Sequence, residues 1–238
     1  MENIIEFKNV NKYYGKHQVI HNVSFSIKEH SICGFIGPNG AGKTTIIKLL
    51  LDIINPNSGE ITMNGKPGCE HDLLGAIVGG PSYYGNLSAS KNMEIVYCMK
   101  NISPKKEEIK ELLELVGLGE VGNKKVRHFS LGMKQRLCIA LSLIGNPKLL
   151  IWDEPINGLD PEGIIEIRNI IKNIHKERKV TFLISSHILS ELDKIAEEII
   201  LINHGQIMYN GSFEHFLNEY RSESLEESYI KCINGERR

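Results

Sequence analysis

The 238-residue sequence predicts a mixed α/β fold in which a helical lobe is inserted into a sheet core. Three observations carry this prediction. Short apolar segments typical of strands alternate with segments whose apolar residues recur at helical spacing. A glycine-rich loop at residues 37–42 lies between a predicted strand and a predicted helix. Residues 80–146 are mostly helical in pattern and interrupt the alternation.

The first third of the chain is rich in strand signals. Residues 23–27 alternate between apolar and polar side chains, as a half-buried strand does. Tyr13-Tyr14-Gly15 is a turn signal before them. The elements predicted here are strands at residues 4–7, 23–27 and 31–36, a helix at residues 45–54, and a strand at residues 60–63.

The middle of the chain is predicted to be loop-rich and then helical. Residues 66–90 are rich in Gly, Pro, Ser and Asn around a short strand at residues 75–78. Helical spacing extends over residues 90–116, with a break at residues 101–104. Ser130 is placed to cap a further helix that extends to Leu143.

The last third returns to alternating strands and helices. An apolar strand at residues 148–152 ends in Asp153-Glu154. Asn203-His204-Gly205 predicts the turn of a hairpin between the two strands that follow. The remaining elements are predicted at residues 161–176 (helix), 180–184 (strand), 189–198 (helix), and 199–202 and 206–209 (the hairpin strands).

These elements predict one domain over residues 1–238. Its core lobe comprises about residues 1–79 and 147–212, and its helical lobe about residues 80–146. A tail at residues 213–238, helical or loose, is too short for a domain of its own.

Composition excludes several classes of protein. A formal net charge of −1 and 41% hydrophobic residues argue against disorder and against nucleic-acid binding through bulk charge. The five cysteines form no CxxC pair and predict free thiols in a reducing compartment. No signal peptide opens the chain, and no apolar run approaches the about 18 residues that span a bilayer. We therefore expect a cytoplasmic protein that reaches a membrane only through a partner.

One segment has the GxxxxGK[ST] pattern of a phosphate-binding loop: Gly37, Pro38, Asn39, Gly40, Ala41, Gly42, Lys43 and Thr44. Glycines let successive backbone N–H groups point at phosphate oxygens, and the following helix adds its positive end. We expect Lys43 to reach the β- and γ-phosphates and Thr44 to bind Mg²⁺. The alternative is a plain glycine-rich turn, which the strand–loop–helix context disfavours.

Two acidic residues end the apolar strand at residues 148–152. Ligands of α/β proteins gather at the carboxyl ends of strands, so Asp153 is placed to hold Mg²⁺ through water. Glu154 is placed to polarise an attacking water. The alternative is a solvated strand end. Together with the phosphate-binding loop, the pair predicts a P-loop nucleotide triphosphatase.

A third segment narrows the class. Residues 129–136 have the sequence FSLGMKQR, in which Ser130 and Gly132 match the second and fourth positions of LSGGQ. Leu131 and Met133 depart from that pattern. With these residues the chain resembles the ATP-binding subunits of ABC transporters, and the resemblance covers residues 5–211. It implies that the helix after Ser130 faces the γ-phosphate held by a second subunit.

The resemblance implies further site residues. Gly158-Leu159-Asp160 is similar to the family's D-loop, and Asp160 would act at the nucleotide with Ser130 and Gly132. His187 is similar to the switch histidine beside the γ-phosphate. Tyr14 stands where the family places an aromatic that stacks on adenine, with Tyr13 as the fallback. Thr45 would complete the nucleotide-binding loop.

One position departs from the family. The family has a glutamine that touches Mg²⁺ and the attacking water, and Gly79 stands at that position here. Relatives resembling the bacitracin-export and lantibiotic-immunity ATPases often carry glutamate there. They share a segment like residues 81–87 and a signature like FSLGMKQR. Either a neighbouring residue replaces the missing side chain, or coupling to the membrane partner is weaker.

The resemblance implies an ATP- and Mg²⁺-dependent motor subunit. Its partners would be a membrane permease on a separate chain, docked at residues 83–86 and the helical lobe, and a second ATPase subunit in a homodimer or heterodimer. The chain would lie on the inner face of the membrane, and no nucleic acid is expected. The substrate class favoured is a peptide antibiotic or lantibiotic, or another hydrophobic compound, moved outward. The alternative is a soluble ABC-type ATPase of ribosomes or nucleic acid, while a kinase or GTPase is disfavoured because no NKxD motif is present.

Overall fold

A computed structural model describes residues 2–80 and 82–235. Pro81, which opens the segment shared with the bacitracin and lantibiotic relatives, lies outside the described residues, as do Met1 and residues 236–238. The strands are β1 (Asn3–Tyr14), β2 (His17–Lys28), β3 (Ile32–Ile36), β4 (Ser58–Met63), β5 (Lys66–Pro67), β6 (Leu74–Ile77), β7 (Leu149–Asp153), β8 (Thr181–Ser185), β9 (Glu198–Asn203) and β10 (Gln206–Ser212). The helices are α1 (Lys43–Leu50), α2 (Ala89–Met99), α3 (Lys106–Leu115), α4 (Leu131–Ser142), α5 (Pro161–Arg178), α6 (Leu189–Leu192), α7 (Phe213–Tyr220) and α8 (Leu225–Ile233).

The chain divides into two compact units. The first consists of Met1–His71 and Thr181–Arg238, and the second of Asp72–Val180. The mixed α/β class predicted from the sequence is confirmed, since parallel and antiparallel strands occur together with helices. The division into a core lobe and a helical lobe at residues 80–146 stays a prediction.

The first unit contains two groups of strands. One has the order β2-β1-β4-β5 and is antiparallel. In it Phe7 and Phe25 are paired across β1 and β2, with ring centroids 4.4 Å apart. The other has the order β10-β9-β3-β8, in which β3 is parallel to both neighbours. Every residue of β3 is buried, as expected of a parallel strand covered on both faces.

The second unit combines the parallel strands β6 and β7 with helices α2 to α5. Ile77 and Trp152 are in register, so both strands end at the same edge. Gly75 of β6 lies against the backbone of α4, since a Cβ there would be 1.9 Å from the carbonyl oxygen of Ser142. The Ser142 hydroxyl accepts the indole N–H of the buried Trp152 at 3.2 Å and donates to the Ile139 carbonyl at 2.8 Å.

Two local sequence signals are confirmed. Ser130 caps α4, because its hydroxyl accepts the backbone N–H of Met133 at 3.2 Å. The hairpin of β9 and β10 turns over His204 and Gly205, whose φ values of 45° and 72° are those of a two-residue turn with both central residues left-handed.

A helix was predicted at residues 45–54, and its predicted end was wrong, because α1 stops at Leu50. Asp52 takes a left-handed φ of 56°, and the N–H of Ile53 returns to the carbonyl of Lys48 at 3.0 Å. This is a Schellman C-cap, with Asp52 at the position that glycine usually fills.

The helix predicted at residues 189–198 was also wrong, since α6 ends at Leu192 and Glu198 already belongs to β9. The backbone N–H of Glu197 donates to the carbonyl of Ile32 at 2.9 Å, so pairing with β3 overrides local helical spacing. Tyr13 and Tyr14, predicted in a turn, are the last residues of β1, and the turn follows them.

The tail, left open as helical or loose, is helical in α7 and α8. All five cysteines are free, as predicted. Among the described residues, no helix combines the length and the apolar composition required to cross a bilayer.

Candidate nucleotide-binding site

The glycine-rich loop connects β3 to α1 in the first unit, and two of its glycines have no room for a side chain. A Cβ on Gly37 would lie 2.2 Å from the carbonyl oxygen of Ile202 in β9. Gly42 has a φ of 110°, and a Cβ there would lie 2.8 Å from Cδ1 of Ile20 in β2. Close packing against the backbone therefore requires glycine at Gly37, and a left-handed backbone at a crowded site favours it at Gly42.

Backbone hydrogen bonds hold the loop in a tight curl. The N–H of Ala41 donates to the carbonyl of Pro38 at 3.1 Å, and the carbonyl of Ala41 accepts the N–H of Gly205 at 2.9 Å. The tip of the loop, Asn39 and Gly40, is exposed. The loop is thus supported from the β9–β10 turn while its tip remains accessible to a ligand.

Lys43 is enclosed by the loop that precedes it. Its ammonium donates to the carbonyl of Gly37 at 2.6 Å and to that of Pro38 at 3.2 Å, and the residue is 8% exposed. Gly42 caps α1 without a side chain, so no side-chain oxygen covers the first N–H groups of the helix. A positive helix end and a buried ammonium next to it form a place for polyphosphate.

Oxygen donors suited to Mg²⁺ are present in both units. Thr44 and Thr45 lie in the first turn of α1, with Thr44 exposed. Asp153, half-buried, ends β7 in the second unit. Among the described residues no group of three or more His, Cys, Asp or Glu side chains could hold a metal ion. Mg²⁺ takes one or two protein oxygens and completes its shell with phosphates and water, so the hydroxyl oxygens of the first unit and the carboxylate of the second are each of a kind that suits it.

His187 and the glycine-rich loop follow neighbouring strands of the first unit. β8 is parallel to β3, with Ser185 opposite Phe35, so Gly37 and His187 both come after the carboxyl ends of these strands. His187 is exposed, and the next N–H, that of Ile188, donates to the Ser186 hydroxyl at 3.0 Å.

The two tyrosines end β1 opposite the start of β2. Tyr14 is in register with His17 and is 47% exposed, while Tyr13 is 40% exposed. Val19, further along β2, approaches the glycine-rich loop, with its carbonyl oxygen 3.6 Å from a Cβ built on Gly42. Both tyrosines thus lie near the strand that supports the loop.

In the second unit the acidic pair lies at the carboxyl end of β7, at the edge where β6 also ends. Asp153 is the last residue of β7, and Glu154 has a left-handed φ of 54°, uncommon for a residue with a side chain. The carbonyl of Glu154 accepts the N–H of Asn157 at 3.2 Å. A sharp turn therefore follows the strand.

Gly79 lies beyond the end of β6, at this same edge. Its φ is 71° and that of Gly80 is 107°. A Cβ on Gly79 would meet no heavy atom of the described residues within 4 Å. The position has room for a side chain but a backbone conformation that disfavours one.

Two of the predicted intersubunit residues, Ser130 and Asp160, cap helices of the second unit. Asp160 caps α5, its Oδ1 accepting the N–H of Gly163 at 2.9 Å. A Cβ on Gly158 would lie 3.3 Å from Cδ2 of Leu131, at the exposed start of α4. Gly132 has no heavy atom within 4 Å of a built Cβ. The structure thus brings the D-loop and the signature segment together.

Asn92 was missed in the sequence. It is 1% exposed, and its carboxamide accepts the N–H of Tyr84 at 2.6 Å and donates to the carbonyls of Tyr84 at 3.1 Å and Ser88 at 2.9 Å. It thereby fixes the loop predicted to dock the permease. Its position between Ala89 and Met93 on the buried face of α2 is the signal that could have revealed it.

The buried thiols of Cys33, Cys138 and Cys232 belong to the packing and not to this site. Burial raises the pKa of the Cys33 thiol well above its usual range. Burial likewise raises the pKa values of the Cys69 and Cys138 thiols to about 11. Raised pKa values disfavour the reactive thiolate.

The sequence is similar to those of ABC transporter proteins. Residues 20–157 match the ABC transporter family. The chain is 44% identical to the lantibiotic transport ATP-binding protein SrtF of Streptococcus pyogenes, over 99% of this chain and 100% of that protein. It is 42% identical to the bacitracin transport ATP-binding protein BcrA of Bacillus licheniformis, over 93% of this chain and 74% of that protein.

A solved structure shows the same fold. The ADP conformation of an ATP-binding cassette of an ABC transporter superposes with a TM-score of 0.84 at 23% identity, covering 97% of this chain and 99% of that chain. A nucleotide-free cassette gives a TM-score of 0.82 at 23% identity, covering 96% and 99%. Fold and sequence similarity agree: the chain belongs to the ABC transporter family, as an ATP-binding subunit that hydrolyses ATP.

Proposed function

We propose that this subunit powers the export of a lantibiotic or a related peptide antibiotic, or of another hydrophobic compound. The observation that carries the proposal is the 44% identity, over 99% of this chain, to a protein named for lantibiotic transport. The similarity to a bacitracin transport protein points to the same class of cargo. The transporter complex contains a permease on a separate chain.

In the proposed site the loop of Gly37 to Thr45 binds the phosphates of ATP. Backbone N–H groups and Lys43 contact phosphate oxygens, which replace the carbonyl acceptors of the ammonium. Tyr14 stacks on adenine. Thr44 and Asp153 hold Mg²⁺, which when bound neutralises charge on the β- and γ-phosphates.

The proposed hydrolysis step uses Glu154 and His187. The Glu154 carboxylate takes a proton from the water whose oxygen forms the new bond to the γ-phosphorus. The bond between the γ-phosphorus and the β–γ bridging oxygen breaks, which leaves ADP and inorganic phosphate. His187 donates a hydrogen bond to a γ-phosphate oxygen and stabilises the charge there.

A second ATPase subunit, identical or homologous, completes each site in this proposal. The exposed N-terminus of α4, with Ser130 and Gly132, faces the γ-phosphate bound by the other subunit, and Asp160 lies beside it. The exposed Leu131 in the same turn supports a role in contact with another chain, because it is 49% exposed.

The proposed place of work is the inner face of the cell membrane, where the permease holds the subunit. The loop at residues 83–86 and its support by Asn92 provide a rigid docking feature, with Tyr84 58% exposed on it. No role for nucleic acid is proposed.

The chemical part is tested with Glu154→Gln, which should bind ATP with wild-type affinity, hydrolyse it at least about a hundredfold more slowly and accumulate as a closed dimer. Size-exclusion chromatography with ATP measures the dimer, and Glu162→Gln is the matched control. Wild-type turnover in Glu154→Gln would remove it from the role of base.

The transport part is tested in native cells. Affinity purification in mild detergent should recover a multi-spanning permease in stoichiometric amount, and deletion of the subunit should raise sensitivity to a lantibiotic or to bacitracin. Recovery with ribosomes instead, or unchanged sensitivity to both classes of compound, would contradict the export function while leaving the ATPase chemistry intact.

A further inference from the structure

We infer that Lys12 is a positioning residue for the adenine base, because its ammonium fixes the ring of Tyr14. This inference rests on the proposed role of Tyr14. It also decides between the two tyrosines, since only Tyr14 has this contact with Lys12.

Lys12 and Tyr14 lie on one face of β1, because side chains two residues apart in a strand point the same way. The Lys12 ammonium is 5.7 Å from the centroid of the Tyr14 ring, within the about 6 Å reach of a cation–π interaction.

The ammonium is held in place by a second contact. Lys12 Nζ donates to the carbonyl oxygen of Asn55 at 2.5 Å, across 43 residues of sequence. The neighbouring backbone is fixed as well, since the N–H of Tyr13 donates to Oδ1 of Asn57 at 2.8 Å. Lys12 is half-buried, so its side chain occupies a defined place at the end of β1.

The Lys12 ammonium therefore occupies one face of the Tyr14 ring. Tyr14 ends its strand and is 47% exposed, so little packing otherwise restricts its rotamer. A cation fixed against one face selects the orientation that presents the other face to a base. Aromatic stacking of a base is favourable for any adenine-like ring, and preorganisation removes the entropy cost of ordering the phenol on binding.

The test compares Lys12→Met with Lys8→Met, in which a lysine of the same strand paired with Glu6 is changed. Isothermal titration of the isolated chain measures Kd for a non-hydrolysable ATP analogue and for inorganic tripolyphosphate, which has no base. We expect Lys12→Met to raise Kd for the analogue about threefold, with tripolyphosphate unchanged. Lys12→Arg should keep wild-type affinity.

An unchanged Kd of Lys12→Met for the ATP analogue would overturn the inference. An equal loss of affinity for the analogue and for tripolyphosphate would also overturn it, because it would indicate a general effect on the fold. Combining Lys12→Met with Tyr14→Ala should add no further loss, because the lysine acts through the ring. A further threefold loss of affinity when Lys12→Met is added to Tyr14→Ala would also overturn the inference.

The outcomes separate this inference from the proposed site. If Tyr14→Ala weakens binding of the ATP analogue and Lys12→Met does not, only the positioning role of Lys12 fails. If Tyr14→Ala leaves its affinity unchanged, the adenine-stacking role of Tyr14 fails and the inference fails with it.

Discussion

Replacing Asp160 with alanine should destabilise the protein independently of any role at the nucleotide. The Asp160 carboxylate caps the 18-residue helix α5 by accepting the Gly163 N–H at 2.9 Å. Loss of an N-cap costs about 1 kcal/mol. Loss of the carboxylate's attraction to the helix N-terminus costs about 0.5 kcal/mol more. We therefore expect the free energy of unfolding to fall by about 1.5 kcal/mol.

Asp160→Asn separates the two contributions, because asparagine keeps the cap and loses only the charge. For a chain of this size each kcal/mol lowers Tm by about 2–4 °C, so alanine should lower it by about 3–6 °C and asparagine by about 1–2 °C. Differential scanning calorimetry without nucleotide measures both. Glu162→Ala, which removes an acidic residue from the same first turn without touching the cap, is the matched control.

Equal Tm losses for the alanine and asparagine variants would refute the capping argument, and so would an unchanged Tm for alanine. If Asp160 also acts at the nucleotide of a second subunit, both variants should lose ATPase activity, whereas a pure cap predicts that asparagine retains it.

Further substitutions test other parts of the structure. Gly42→Ala should weaken ATP binding at least tenfold in a titration, since φ is 110° there, and wild-type affinity would show that the loop tolerates a Cβ. Ser130→Ala should lower the free energy of unfolding by about 1 kcal/mol in urea titrations, and no loss would mean that water replaces the cap. Gly79→Gln should lower the free energy of unfolding by about 1 kcal/mol, because the backbone there has a φ of 71°. It should also change the stimulation of ATPase activity by the permease, and unaltered stimulation would mean that this position has no role in coupling. A thiol reagent should modify the exposed Cys98 in the native protein and the buried Cys33 only after unfolding, and equal rates would contradict the burial of Cys33.

Elements that end on local signals were predictable from the sequence. The cap of α4 at Ser130 and the hairpin turn at His204 and Gly205 depend on residues within a few positions of each other. The end of α1 was not predictable in this way, because Asp52 takes the left-handed conformation that the sequence would assign to glycine. The short α6 depends on the pairing of Glu197 with a distant strand.

The same distinction applies to the candidate site. The phosphate-binding loop is a contiguous motif, so its residues could be named before the fold was known. Lys12 could not be named, because its role depends on contacts that only the fold creates, whereas Asn92 left one signal in the sequence that was missed. The carbonyl bound by Lys12 is 43 residues away, and Asn92 is recognisable only as an amide inside an apolar helix face.

The close approach of Gly75 to Ser142 couples the positions of β6 and α4 in the second unit. With no side chain between them, β6 and α4 are in direct backbone contact, and the indole of Trp152 ties β7 to the same point. The segment after β6 carries Gly79, and α4 begins at Ser130. We therefore expect α4 to follow a displacement of β6, because the two elements are in backbone contact at Gly75 and Ser142. A bulkier residue at Gly75 would separate β6 from α4. Both elements would still form, but we expect their movements to be no longer coupled.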